Sequence, residues 1–228
     1  MSAELKPPRG RGGWIILAVI LAVAAIVAAA VVYGSNSSTD ATVPTQSQST
    51  SATPGEVGNA GADVQPTGCL GGEARDADML LSAQRAAPHT TNGATELAAS
   101  FVRWMQRSPL PPADGINTVQ SSLITSRIDV ASYLAHGPDF ASGLVEDGQD
   151  FYMSTIGGVW LLDSANPDAV TVSIGTAYVI DGALSPRYVS SVTVALAWDN
   201  GQWRIDGFKG TRTTETLFAA GTKFTEGC

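Results

Sequence analysis

The stretch WDNGQWRIDG at 198–207 constrains the fold of this chain more tightly than any other. Asn200-Gly201 is the strongest two-residue hairpin signal, because both central positions of a type I′ turn need positive φ, which Asn and Gly reach at little cost. A two-residue loop there sets a register in which Asp199 faces Gln202, Trp198 faces Trp203, Leu196 faces Ile205 and Val194 faces Gly207. The other face pairs Ala197 with Arg204 and Ala195 with Asp206. The large residues of both strands meet on one side without adjustment. The two tryptophans are therefore read as a cross-strand aromatic pair under helices, not as a ligand-stacking site.

The same period of two extends upstream to about Asp150. In 169–180, Val170, Val172, Ile174, Tyr178 and Ile180 share one face, while Ala169, Thr171, Ser173, Gly175 and Ala177 share the other. In 188–198, Tyr188, Val192, Val194, Leu196 and Trp198 oppose a row of small residues. This alternation predicts an antiparallel sheet with one buried face. Before Asp150 the apolar period is that of a helix. Met79, Leu80, Ala83 and Ala87 mark a helix over 74–87 ended by Pro88, and Leu97, Phe101, Trp104 and Met105 mark a second one closed by Pro109. Ser126 and Asp129 have capping-box spacing, so a third helix is expected from Ser126 with Ile128, Ala131 and Leu134 inward. Helices followed by long antiparallel strands predict an α+β domain, with helices packed on one face of a curved sheet.

The N-terminal part differs in kind. Residues 14–33 (WIILAVILAVAAIVAAAVVY) hold no charge, Pro or Gly. Twenty helical residues span roughly 30 Å, the thickness of a bilayer core, so a transmembrane helix is expected there. Lys6, Arg9 and Arg11 precede the run and the next basic residue is Arg75, which predicts a cytoplasmic tail (1–13) and everything after Tyr33 outside the membrane. A cleaved signal peptide ending near Ala28-Ala29-Ala30 is the alternative, and the length of the run favours a retained anchor. Ala18, Ala22, Ala25 and Ala29 line one face of the expected helix and would suit self-association. Residues 34–68, rich in Ser, Thr, Gly and Pro, are expected to be a disordered linker before an extracytoplasmic domain at 69–228.

The tail's three basic residues and Glu4 sum to +2, so 34–228 carry −10 of the chain's −8. A domain so acidic, without a basic stripe, is not expected to bind nucleic acid directly. Cys69 and Cys228 are the only cysteines. Outside the cytoplasm they are expected to form a disulfide joining the ends of the domain, the alternative being a free or intermolecular Cys228.

The order helix, helix, loop and long strands, ending in WDNGQWRIDGF, resembles the nuclear transport factor 2-like (cystatin-like) superfamily over about 94–209. GCLGG (68–72), SAQRAAPHT (82–90) and GATELAASFVRWMQRSP (93–109) are similar to membrane proteins of actinobacterial integrative and conjugative elements. These resemblances imply a cone-shaped domain and a place beside a type IV secretion-like conjugation apparatus, with other membrane or envelope proteins as partners. They assign no catalytic residues.

Chemistry-bearing motifs are sparse. The sequence holds no Gly-rich phosphate loop, GxSxG or HExxH, so no cofactor, metal or catalytic residue is assigned. His89 and His136 read as exposed loop histidines, and EDGQD at 146–150 is no calcium loop. Tyr178 and Tyr188 are the candidates for a pocket inside the cone. Arg204 and Asp206 alternate onto one face of the last strand and are the candidates for a solvated interaction face. The leading expectation is a non-enzymatic, membrane-anchored scaffold or assembly subunit of a conjugative apparatus. The alternatives are an extracellular ligand-binding or enzymatic cone domain, or an accessory subunit of an envelope lipid transporter.

Overall fold

The computed structural model describes residues 63–228 apart from Ser142, Asp147, Gly210 and Thr211. The chain first forms α1 (Ala77–Ala86) and α2 (Thr91–Met105), then β1 (Arg107–Ser108), α3 (Ala113–Ser122) and α4 (Val130–Ala135). Four strands follow: β2 (Phe151–Asn166), β3 (Ala169–Ile180), β4 (Ala183–Asp199) and β5 (Gln202–Lys209). A short helix, α5 (Thr214–Ala220), and β6 (Thr222–Lys223) complete the described fold. The sheet is antiparallel in the order β1-β2-β3-β4-β5, with β6 added to β2.

Helices α1, α2 and α4 start where a side chain can accept an orphan N–H, whereas α3 follows Pro112 with no side-chain cap. Asp76 accepts from Met79 N at 2.8 Å, Thr90 from Gly93 N at 3.0 Å and Asp129 from Ser132 N at 2.8 Å. The expected start of a helix at Ser126 is thus displaced, because Asp129 itself is the N-cap of α4. Helix α3 was not legible beforehand, since Val119 is its one buried residue and no apolar stripe marks it. Helix α2 is buried on nearly every side: Leu97, Phe101, Val102 and Trp104 are fully covered. It lies across the curved sheet, whose inner face supplies Val172, Ile174, Val194, Leu196, Trp203 and Ile205 to the same core.

The hairpin forms as the turn chemistry requires. Asn200 and Gly201 have φ of 51° and 79°, and Trp198 faces Trp203 with ring centroids 5.3 Å apart, edge to face. The ladder follows the expected register through Leu196↔Ile205 and then shifts by a bulge, so that Ala195 faces Gly207 and Val194 faces Phe208. The extra residue is Asp206, which turns out of the ladder to accept from Thr125 Oγ1 at 2.8 Å and to pair with Arg127. The bulge brings Phe208 onto the helix side, 5.6 Å from the ring of Phe101.

The expectation of a single buried face also needs correction. Gly175 and Ser173 on the other face are covered as well. Helix α5 lies there, and a Cβ on Gly175 would stand 2.8 Å from both Phe218 Cε2 and Val159 Cγ2. Only the missing side chain lets the helix approach so closely.

The ends of the domain are tied together. Cys69 and Cys228 form a disulfide, with Cα atoms 5.2 Å apart. Glu96, nearly buried on α2, accepts from Thr67 N, from Thr67 Oγ1 at 2.8 Å and from Gly68 N at 3.1 Å, so residues before Cys69 are part of the packed fold. The C-terminal segment lies along β2, where Thr155 N donates to Cys228 O at 3.0 Å and Cys228 N to Thr155 Oγ1 at 2.9 Å. Beneath this clasp the Arg103 guanidinium is fully buried. It donates to Gly72 O at 2.7 Å and Ala74 O at 3.3 Å, and its Nε and Nη1 meet no acceptor among the described residues. Burial, then the neighbouring Arg75 charge, lowers its pKa to about 10.

No helix among the described residues is long and apolar enough to cross a membrane. The longest, α2, has 15 residues and carries Glu96 and Arg103, whereas a bilayer core needs about 20 predominantly apolar ones. The membrane-spanning architecture is corrected on this finding. The run 14–33, with Ala18, Ala22, Ala25 and Ala29, lies outside the described residues, as do the tail and most of the linker. The single-pass location with the domain outside, the membrane or envelope partners, the self-association through that alanine stripe and the anchored conjugation scaffold all rested on the span, and none is carried forward. The helix-on-curved-sheet domain stands without it.

Candidate functional site

A cleft of about 440 Å³ opens where the inner face of the sheet runs out from under α2. Its floor is Met105, Val192 and Phe208, and polar groups enter from Gln106, Asp139, Tyr178 and Lys209. Each wall comes from a different element. Gln106 is the residue at which α2 stops, and its N–H still closes the last helical turn on Val102 O. Its side-chain Oε1 accepts from Ser190 Oγ at 3.3 Å, joining the helix end to β4. Tyr133 of α4 and Phe140 beyond it form the outer rim. The Tyr133 ring meets Phe208 edge-on at 5.0 Å, and its own side chain stays 41% exposed.

Tyr178 is the best-fixed polar group in the cleft. It is 3% exposed, its ring lies 5.6 Å from Phe151, and its hydroxyl donates to Phe140 O at 2.7 Å. Burial raises its pKa, and the charge of Asp139 raises it further, so the phenol stays protonated through the neutral range. Burial alone raises Tyr133. Further along the same strands, Thr176 faces Ser190, and Thr176 Oγ1 is buried without a hydrogen-bond partner among the described residues.

The residues singled out from sequence are distributed as follows. Tyr178 lines the cleft, and Tyr188 does not: it sits on the part of β4 beyond the end of β5 and is 39% exposed. Arg204 and Asp206 do not form a pair. Arg204 donates to Ile124 O at 2.7 Å and to Asp199 Oδ2 at 3.4 Å, while Asp206 is held by Thr125 and Arg127. Both are engaged in tying β5 to the segment after α3, which the isolated bridge between Ile124 and Ile205 also marks. His89 is no free loop side chain. Its ring stacks on Trp198 at 3.9 Å, and its Nε2–H is shared between Pro167 O at 2.9 Å and Asp168 Oδ1 at 3.1 Å. His136 is exposed at the end of α4 and bonds the carbonyl of Ser132. Among the described residues no three His, Cys, Asp or Glu side chains are placed to hold a metal ion.

Gln106, Asp139, Phe140 and Lys209 were not anticipated as lining residues. They are separated by up to a hundred positions and lie at element ends, where no spacing rule links them. The one usable signal was Tyr178, a polar-tipped aromatic set in an otherwise apolar strand face.

No family model, curated protein or solved structure matches this chain. The resemblance to the nuclear transport factor 2-like superfamily and to membrane proteins of conjugative elements is therefore corrected: the short quoted motifs do not extend to a relationship over the domain. The cone-like arrangement of helices on a curved antiparallel sheet is what the chain itself shows.

Proposed function

We propose that this domain binds a small amphipathic molecule in the cleft between Tyr178, Gln106, Phe208 and Lys209. The observation that carries the reading is the cleft itself. At about 440 Å³ it falls within the range of about 300–1,000 Å³ usual for ligand sites, and it sets Met105, Val192 and Phe208 beside a larger share of polar lining. The exposed Lys209 at its mouth supplies a positive charge for an anionic head, while Met105, Val192 and Phe208 accept an apolar body. Binding without turnover is the form of activity this supports. Tyr178, the most enclosed titratable group lining the cleft, spends its proton on Phe140 O and has a raised pKa, which suits it to orient a ligand and not to act as a base near neutral pH.

The test uses 1-anilinonaphthalene-8-sulfonate, whose rings and sulfonate match this division. Its fluorescence should rise with the full chain, and the Ser190→Trp variant, which fills the half-buried inner wall of the cleft, should abolish the rise while melting close to the parent. An unchanged titration in Ser190→Trp would remove the cleft as the site.

A further inference from the structure

A second cleft, of about 410 Å³, lies at the start of β2 and shares no residue with the first. It runs across the strand ends. Arg107 and Ser108 of β1 stand on one flank with Arg75, Tyr152 of β2 is in the middle, and Asp150 and Asp181 stand at the β2 and β3 ends. Its charges are therefore sorted by position: two guanidiniums towards one side, two carboxylates towards the other.

The guanidiniums are held in place by backbone carbonyls. Arg75 donates from Nε to Met153 O at 3.4 Å and from Nη1 to Glu73 O at 3.0 Å, and it lies 3.8 Å over the ring of Tyr152. Arg107 donates from Nε to Pro109 O at 3.0 Å and from Nη1 to Arg75 O at 2.9 Å. Each keeps its Nη2 donors free, and among the described residues neither forms an ion pair. Burial lowers both pKa values, and for Arg75 the nearby Arg107 charge lowers it further, so the two cations repel each other in a partly desolvated place. On the far side Asp181 is engaged by Gln149 Nε2 at 2.6 Å, and the Asp150 carboxylate has no partner among the described residues; both are exposed to the cleft's solvent. Opposite charges thus line one cleft without neutralising each other, because the end of β2 stands between them.

A cleft with separated unpaired charges is complementary to a ligand whose own charges are separated in the opposite sense. We propose that this cleft binds a small zwitterion, with its carboxylate on Arg75 and Arg107 and its ammonium group at Asp150 and Asp181. Two guanidinium edges suit a planar carboxylate better than they suit a spherical halide. The two aspartates disfavour a multiply charged anion such as phosphate by repulsion, which gives the site its selectivity.

The experiment titrates the full chain with ω-amino carboxylates from β-alanine to 6-aminohexanoate, followed by NMR, with butyrate, butylamine and inorganic phosphate as comparisons. One intermediate chain length should bind best and shift the Tyr152 ring together with the Asp150 and Asp181 amides. It should bind about tenfold more tightly than butyrate, the value of one charge-assisted contact. Arg107→Gln should weaken the zwitterion and butyrate alike by about tenfold or more, as loss of a guanidinium–carboxylate contact does. Asp150→Asn, at an exposed residue whose side chain anchors nothing, should lower zwitterion affinity towards that of butyrate and leave butyrate unchanged. Equal affinity for butyrate and every amino carboxylate, tighter binding of phosphate, or an Asp150→Asn variant identical to the parent would each overturn the proposal. Loss of anilinonaphthalenesulfonate binding in Ser190→Trp does not bear on this cleft, so the two sites fail or stand separately.

Discussion

Replacing Trp203 by Ala is the sharpest test of how this domain is held together. Trp203 is fully buried, its Nε1–H donates to Pro88 O at 2.8 Å, and its ring is boxed by Trp198 at 5.3 Å and His89 at 5.6 Å. Removing a fully buried Trp side chain costs about 3–5 kcal/mol through lost transfer energy and the cavity left behind. The hydrogen bond lost to Pro88 O, a carbonyl that keeps Thr90 N–H at 2.8 Å, adds about 1 kcal/mol. A loss of about 4–6 kcal/mol is a large share of the roughly 5–15 kcal/mol that stabilises a domain. At about 2–4 °C per kcal/mol for a domain of this size, the melting temperature should fall by about 10–20 °C. Urea denaturation followed by circular dichroism measures the free-energy loss, and a thermal scan measures the fall in melting temperature. Trp203→Phe separates the contributions, since it keeps most of the apolar volume and loses the hydrogen bond, and it should cost about 1–2 kcal/mol. Arg204→Ala on the opposite face should cost about 1–2 kcal/mol as well, because it gives up a charge-assisted bond to Ile124 O. If Trp203→Ala denatures within about 1 kcal/mol of the parent, well below the usual cost of a buried Trp, the hairpin is not a core element and the packing described above is wrong.

Reduction of the Cys69–Cys228 bridge opens a link between residues 159 positions apart, and the chain-entropy model puts its contribution at about 5 kcal/mol. Coincident urea curves with and without dithiothreitol would refute that contribution. Glu96→Ala leaves Thr67 N, Thr67 Oγ1 and Gly68 N without their acceptor; it should cost about 2–3 kcal/mol and speed hydrogen exchange at 66–70, while normal protection there would count against the clasp. Arg103→Met removes a buried cation with two unsatisfied nitrogens, and water reaches the exposed Gly72 and Ala74 carbonyls it leaves, so the variant should melt at or above the parent. The sign of its pH dependence follows from the lowered pKa. From about pH 10 upward to the ordinary arginine range the unfolded chain holds more protons than the folded one, so the parent gains stability as pH rises through that window and Arg103→Met should lack that gain. A loss above about 2 kcal/mol in Arg103→Met at neutral pH, the size expected when a satisfied buried group is removed, would show the guanidinium to be a net stabiliser.

The candidate site was legible only in part. Tyr178 stood out because a polar tip interrupts an apolar strand face. Gln106 and Phe140 did not stand out, because their roles depend on where α2 stops and on how the chain after α4 returns over the sheet. The course of β5 was legible to the bulge and no further. A ladder read from the turn outward has no means of knowing that Thr125 and Arg127, some eighty positions upstream, would draw Asp206 out of line.

What the sequence by itself determined is local and periodic: the positive-φ turn at Asn200-Gly201, the Trp198–Trp203 pairing, the inward rows of β3 and β4, and the faces of α1 and α2. Each depends on residues a few positions apart, where backbone sterics and side-chain period act directly. The tertiary structure alone decided which charges stay unpaired, where α5 covers the second face at Gly175, that His89 stacks on Trp198, and that two clefts open with no lining residue in common. Those outcomes depend on residues distant in the chain meeting in space. The energy of such a contact exists only once the packing that creates it has formed.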